Sequence, residues 1–269
     1  MRTTEQSSRY NHLESMSTLD ILEGINAEDR LVPLAVGKAI PQIAELVDGI
    51  VERIARGGRV FYLGAGTSGR LGIVDASEIP PTYGVKDTFI GIMAGGDTAI
   101  RTAVEGAEDN TLGGWEDLLA HNACKDDVVV GISASGGAPY VVGAIRKASE
   151  AGLLTAVITN NEGSPAAAEA HIAIVADVGP EFVTGSTRMK SGTSAKLILN
   201  MISTASMIRL GHVKGNKMVD MQLTNDKLVD RGTRMIMEGT GISDYDAARA
   251  MLLRYGHVRA AVEAFYKSK

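Results

Sequence analysis

Cysteine is nearly absent. The 269 residues contain one, Cys124, so no internal disulfide framework is available and a reducing compartment is expected. Long apolar runs are missing too, and none approaches the roughly 18 residues that a membrane span requires. The opening residues, Met1-Arg2-Thr3-Thr4-Glu5-Gln6, lack the basic-then-apolar layout of a secretory signal, and the expected location is the cytoplasm. There is no block of like charge, and the net charge of −5 argues against a nucleic-acid partner. His12, His121, His171, His212 and His257 are scattered, with no pair at i,i+4 and no Cys/His cluster, which argues against a metal centre. Internal repeats and low-complexity segments are also lacking.

Glycine, by contrast, is plentiful, and many glycines fall where apolar runs end. The clearest case is Arg59-Val60-Phe61-Tyr62-Leu63-Gly64-Ala65-Gly66-Thr67-Ser68-Gly69-Arg70-Leu71-Gly72. A β-rich run enters a glycine-hydroxyl turn and then a helical pattern. Glycines let the backbone approach a ligand closely. The free N–H groups of a helix start attract an anion, most often a phosphate. Gly66, Thr67 and Ser68 are therefore candidate phosphate-binding residues. The spelling Gly64-x-Gly66-x-x-Gly69 also matches the dinucleotide fingerprint, which needs an acid about 20 residues on, at the end of the second strand. Asp87 stands near that spacing but precedes the run Thr88-Phe89-Ile90-Gly91-Ile92, which counts against a nicotinamide or flavin cofactor. A glycine turn with no ligand is the bland alternative.

Apolar strand candidates recur at residues 59–63, 88–93, 127–132, 154–159 and 172–176. Helical patterns separate them at 68–78, 97–104, 111–121, 138–151 and 164–169. Such alternation predicts an α/β fold whose parallel sheet is covered by helices on both faces. We read an N-terminal helical segment over 1–39, a five-stranded doubly wound domain over 40–215, and a small C-terminal helical appendage over 216–269. Helical spacing from Leu34 to Ile54 predicts one long amphipathic helix ending at Gly57-Gly58. Another long helix is expected from Lys190 to about Leu210. Caps at Ser17 and Ser243-Asp244 open further helices, and a last helix is expected over 257–267.

The third strand ends in Ser133-Ala134-Ser135-Gly136-Gly137-Ala138-Pro139 and leads into a helix, repeating the logic of the first loop. Serine-glycine turns are usually structural, but two of them on one sheet edge can grip the same anion, which adds Ser133, Ser135 and Gly136 to the candidates. The stretch Thr184-Gly185-Ser186-Thr187-Arg188-Met189-Lys190-Ser191-Gly192-Thr193 either faces the same site or is a capped, solvated loop. Among acids, Asp75 and Glu78 follow the first loop, with Glu78 beside Pro80-Pro81 at a broken helix end close to the cradle. Glu105, Glu108 and Asp109 follow the second strand. Most acids are solvated surface, but two carboxylates facing a sugar can serve as general acid and general base. No Ser/His/Asp or Cys/His arrangement competes with them.

Leu63 to Leu71, Asp75-Ala-Ser-Glu-Ile-Pro-Pro-Thr-Tyr-Gly84, Ala103-Val-Glu-Gly-Ala-Glu-Asp109, Ser133-Ala-Ser-Gly136 and Val183 to Thr193 together resemble the N-acetylmuramic acid 6-phosphate etherases of the sugar isomerase (SIS) domain family. The resemblance runs from about residue 17 to about 230. It implies the SIS three-layer fold, a homodimer, and a sugar-phosphate substrate. It also implies cleavage of the D-lactyl ether of N-acetylmuramic acid 6-phosphate to N-acetylglucosamine 6-phosphate and D-lactate, with no metal or redox cofactor. In that chemistry a base removes the C2 proton of the open-chain sugar, lactate leaves C3, and water adds. By resemblance Glu78 matches the acid and Glu108 the second catalytic carboxylate, a candidate base, and burial should raise the pKa of Glu78. Lys190 falls in a matched motif as a candidate phosphate ligand. The family commonly has Arg-Thr where Gly137-Ala138 stands here, so one expected hydroxyl is missing. The C-terminal appendage diverges after about residue 235. An aldose–ketose phosphate isomerase and a non-catalytic sugar-phosphate sensor on the same fold are the rival readings. Lactate release without ketose formation separates the first of these, and both glutamates being present counts against the second.

Overall fold

The structure, a computed structural model, describes residues 2–268. The chain divides into two compact units: 1–77 with 88–204, and 78–87 with 205–269. In chain order the helices and strands are α1 (Thr18–Asp29), α2 (Val32–Lys38), α3 (Ile40–Ile54), β1 (Val60–Gly64), α4 (Gly66–Ser77), α5 (Ile79–Tyr83), β2 (Phe89–Met93) and α6 (Gly96–Arg101). They continue with α7 (Gly113–Ala120), β3 (Val128–Ile132), α8 (Pro139–Glu150), β4 (Leu154–Thr159), α9 (Pro165–Glu169), β5 (Ile172–Val175) and α10 (Lys190–Arg209). A two-strand ribbon, β6 (Val213–Lys214) and β7 (Lys217–Met218), precedes α11 (Asp226–Thr240), α12 (Tyr245–Tyr255) and α13 (Val258–Lys267).

The first unit is built on a five-stranded, all-parallel sheet of order β2-β1-β3-β4-β5. Every residue of β1 and of β3 is buried, which explains why the strands read as continuous apolar runs. Successive side chains alternate between faces. Phe61, Leu63, Val129 and Val157 join Leu118, Tyr140, Val141 and Ile145 of α7 and α8 in one core layer. On α4, a Cβ added at Gly69 would lie 2.6 Å from Met93 Cβ and 2.7 Å from the Gly64 oxygen. The third glycine of the motif thus permits close helix-on-sheet packing, which offsets the roughly 1 kcal/mol that a helical glycine costs.

The long helix expected over Leu34–Ile54 is two helices. They break at Ala39, whose backbone leaves the helical region (φ −93°, ψ 0°), because Pro41 in the first turn of α3 cannot continue α2. The pattern after Ser77 is likewise interrupted, and the double proline starts a separate short helix, α5.

The second unit has its own small core of Met221, Ile236, Ala248, Leu252, Val258 and Ala261. Its α11, capped by the Asn225 side chain accepting from Leu228 N–H (3.0 Å), was not among the expected helices. Within this unit Asp220 accepts from Arg259 (2.7 and 2.6 Å) and pairs with His212 (2.9 Å). Burial alone would raise the Asp220 carboxyl, but the Arg259 and His212 hydrogen bonds outweigh it and hold the group below the ordinary carboxylate value. No helix among the described residues is long and apolar enough to cross a membrane.

Candidate active site

The strand order reverses at β1: the chain goes from β1 outward to β2, then returns to lay β3 on the other side of β1. Open α/β sheets bind ligands at such a switch point, beyond the carboxyl ends of the strands. Gly64 at the end of β1 is in register with Ile132 at the end of β3. The two hydroxyl-glycine loops therefore leave the sheet side by side.

The first loop is a helix start. Gly66 is exposed and opens α4, with Thr67 and Ser68 half-buried behind it. The first N–H groups of a helix have no intrahelical acceptor, so those of these residues are open to an anion. The second loop is braced from beneath. Ser133 is 4% exposed, and its N–H donates to the Ile158 carbonyl (3.0 Å), so the loop starts as an extension of the sheet. The Ala134 carbonyl accepts from Asn161 Nδ2 (2.9 Å) and Thr159 Oγ1 (3.2 Å), and the Gly136 carbonyl accepts from Ala166 N–H (2.9 Å). Gly136 is buried at φ +63°, and a Cβ there would strike Ser164 Oγ at 2.1 Å, so only glycine fits the turn. Ser135 is half-buried at the tip, and its Oγ accepts from Gly137 N–H (3.2 Å).

The third polar stretch reaches the same place. A Cβ on Gly192 would lie 3.6 Å from Thr67 Cγ2, so the start of α10 adjoins the start of α4. Its termini are already occupied, however. Glu181, fully buried, accepts from the Lys190 and Ser191 N–H groups (both 2.9 Å) and from Ser191 Oγ (2.8 Å). Lys190 is only 1% exposed and its ammonium donates to the buried Glu28. Glu28 also accepts from Arg9 (3.4 Å).

The carboxylates differ among themselves. Asp75 turns inward and accepts from Ser203 Oγ (3.2 Å). The buried Tyr62 phenol is pushed well above its ordinary pKa by burial first and by the Asp75 charge second. Glu108 is exposed on a one-turn 3-10 helix, Ala107–Asp109, which lies against α8. Glu78 is exposed at the N-cap of α5. It follows Ser77, and α4 runs unbroken from Gly66 to Ser77, a 12-residue helix that rises about 18 Å. The chain by itself does not supply the burial expected of Glu78.

Sequence reading missed Asn161 and Thr159, which brace the second loop, Ser164, which packs against Gly136, and Arg70. Arg70 ties down the end of α6 by donating to the Ala99 and Ile100 carbonyls (both 2.8 Å). Asn160-Asn161 directly after a strand was the available signal for the first of these.

The comparisons with known proteins decide between readings of this edge. The chain is 60% identical to a Bacteroides fragilis N-acetylmuramic acid 6-phosphate etherase over 98% of its own length and 94% of that protein. It is 60% identical to the Porphyromonas gingivalis etherase over 98% of this chain and 96% of that one. The chain belongs to the N-acetylmuramic acid 6-phosphate etherase family. As a family member it also matches the SIS domain over residues 116–205 and the glucokinase regulatory protein N-terminal SIS domain over 42–149. A Clostridium beijerinckii etherase is 51% identical over 93% of the chain and 83% of that protein. Among solved structures, a Francisella tularensis phosphoheptose isomerase is 18% identical with a TM-score of 0.54, covering 70% of this chain and all of that one, a likeness of fold alone. The five-stranded, SIS-type α/β architecture expected from the sequence is the one observed.

Proposed function

We propose that this etherase-family chain cleaves the D-lactyl ether of N-acetylmuramic acid 6-phosphate, giving N-acetylglucosamine 6-phosphate and D-lactate, in the recycling of cell-wall amino sugars. The observation that carries the reading is identity of 60% over nearly the whole chain to proteins so named. The 6-phosphate is held by Ser68, Ser133 and Ser135 with the backbone of Gly66, Thr67 and Gly136, the residues of two loops side by side at the switch point. Lys190 contributes as the inner anchor of the third loop, through its buried pair with Glu28.

The chemistry follows from the substrate. An ether oxygen is a poor leaving group, but the open-chain sugar is an aldehyde with an acidic C2 proton. Glu108 removes that proton and Glu78 protonates the lactyl oxygen as the C3–O bond breaks. Water then adds at C3 of the unsaturated aldehyde, and C2 is reprotonated. The working form is a cytoplasmic homodimer. Incubation of the protein with N-acetylmuramic acid 6-phosphate should release equal amounts of D-lactate and N-acetylglucosamine 6-phosphate. Product formed in heavy water should carry deuterium at C2, and product formed in ¹⁸O-water should carry the label at C3. Ketose phosphate without lactate would overturn the reading in favour of an isomerase, and ¹⁸O in lactate would overturn the elimination.

A further inference from the structure

The segment before α1 is tied across the carboxyl edge of the sheet. Thr4, 1% exposed, is bonded twice to Asn161: its N–H donates to Oδ1 (3.4 Å), and Asn161 Nδ2 donates to Thr4 Oγ1 (3.1 Å). Asn161 Nδ2 also braces the Ala134 carbonyl, so the same amide holds the segment and the second hydroxyl-glycine loop. Further along, Ser8 Oγ donates to the Phe182 carbonyl (2.7 Å) and Ser8 N–H to Thr184 Oγ1 (2.9 Å). Two residues before Thr4, the Arg2 guanidinium lies against Gly137. A Cβ at 137 would stand 2.3 Å from Nη2, 2.7 Å from Cζ and 2.8 Å from Nη1 of Arg2. A side chain at 137 would force the guanidinium to shift. No carboxylate pairs with Arg2 among the described residues.

We infer that Arg2 is a substrate-binding residue, a guanidinium that the N-terminal segment delivers to the Ser133–Gly137 loop to hold the phosphate monoester of the sugar. Gly137 is the opening that admits it. A guanidinium presents a planar fork of donors that matches phosphate oxygens two at a time. The side chain is exposed and carries no partner among the described residues, while the residue two places on is buried and bonded, so the charge is positioned without being neutralised. This inference rests on the reading of that loop as the phosphate cradle.

Calorimetric titration with N-acetylglucosamine 6-phosphate tests it. Arg2→Gln should weaken binding about 10- to 100-fold, the worth of a charge-assisted contact, with the melting temperature unchanged. Gly137→Ala should do the same by displacing the guanidinium, and the double variant should be no weaker than either single one, since both remove one interaction. Additive losses would overturn the proposal. So would a loss seen with unphosphorylated N-acetylmuramic acid but not with N-acetylglucosamine 6-phosphate, which would assign Arg2 to the lactyl carboxylate. Ser135→Ala separates the two layers of the argument. If it weakens phosphate binding and Arg2→Gln does not, Arg2 is wrong and the cradle stands. If neither variant does, the cradle itself is wrong.

Discussion

At the scale of single residues, Lys190 and the two glutamates pose different questions. Lys190 is buried against Glu28, and a buried charge left without its partner costs about 3–5 kcal/mol. Lys190→Met should therefore lower the melting temperature on the order of 10 °C, because about 2–4 °C accompany each kcal/mol in a domain of this size. Unchanged melting with a large loss of sugar-phosphate affinity would show instead that the ammonium meets the ligand directly. For the glutamates, substitution by glutamine keeps shape and removes proton transfer. Glu78→Gln and Glu108→Gln should each reduce turnover about 10²–10⁴-fold. Only Glu108→Gln should also stop exchange of the C2 proton with solvent, because proton removal precedes departure of lactate. The opposite pattern would reverse the two roles, and full turnover in both variants would remove both from the mechanism.

At the scale of elements, the Asp220 hub fastens the β6–β7 ribbon to α13 inside the second unit, since Arg259 of α13 bonds both Asp220 and the Gly211 carbonyl (2.5 Å). The Asp220 carboxyl is depressed in the folded state. Between the folded and unfolded values the unfolded chain binds more protons, so stability rises with pH there. The contribution is complete above the unfolded value of about 3.9 and is lost as pH falls through the folded one. Asp220→Asn should lower the urea midpoint at pH 7, and its difference from the parent protein should shrink at pH 3. An equal difference at both pH values would mean that the carboxylate charge is irrelevant. The boundaries of the helices were legible where a single residue enforces them. Asp244, which accepts from the N–H groups of Asp246 and Ala247, opens α12, and Gly256 at φ +80° closes it. The break at Ala39 was not read, because the apolar spacing of Leu34, Ile40 and Ile43 continues across it while the proline that causes it sits two residues further on.

At the scale of the whole molecule, the proposed homodimer has a direct test. Suppose that a second copy supplies the acid at each cradle. Mixing Glu78→Gln and Glu108→Gln subunits should then restore about one quarter of parental turnover. Half of the dimers would be mixed, and each would hold one intact site of two. No recovery on mixing would mean that both carboxylates act within one chain. The sequence by itself determined the parallel sheet and its strands to within about one residue. It also determined the two hydroxyl-glycine turns and the family. Strands buried on both faces must be continuously apolar, and the turns at their ends must be glycine where the backbone is left-handed or closely approached. Only the tertiary structure decided which loops meet. That β3 lies beside β1, that Asn161 holds Thr4 from 157 residues away, that Glu28 neutralises Lys190, and that Arg2 rests on Gly137 are facts of long-range packing. Local periodicity records how deeply a residue is buried, and carries no information about which distant residue it is buried against.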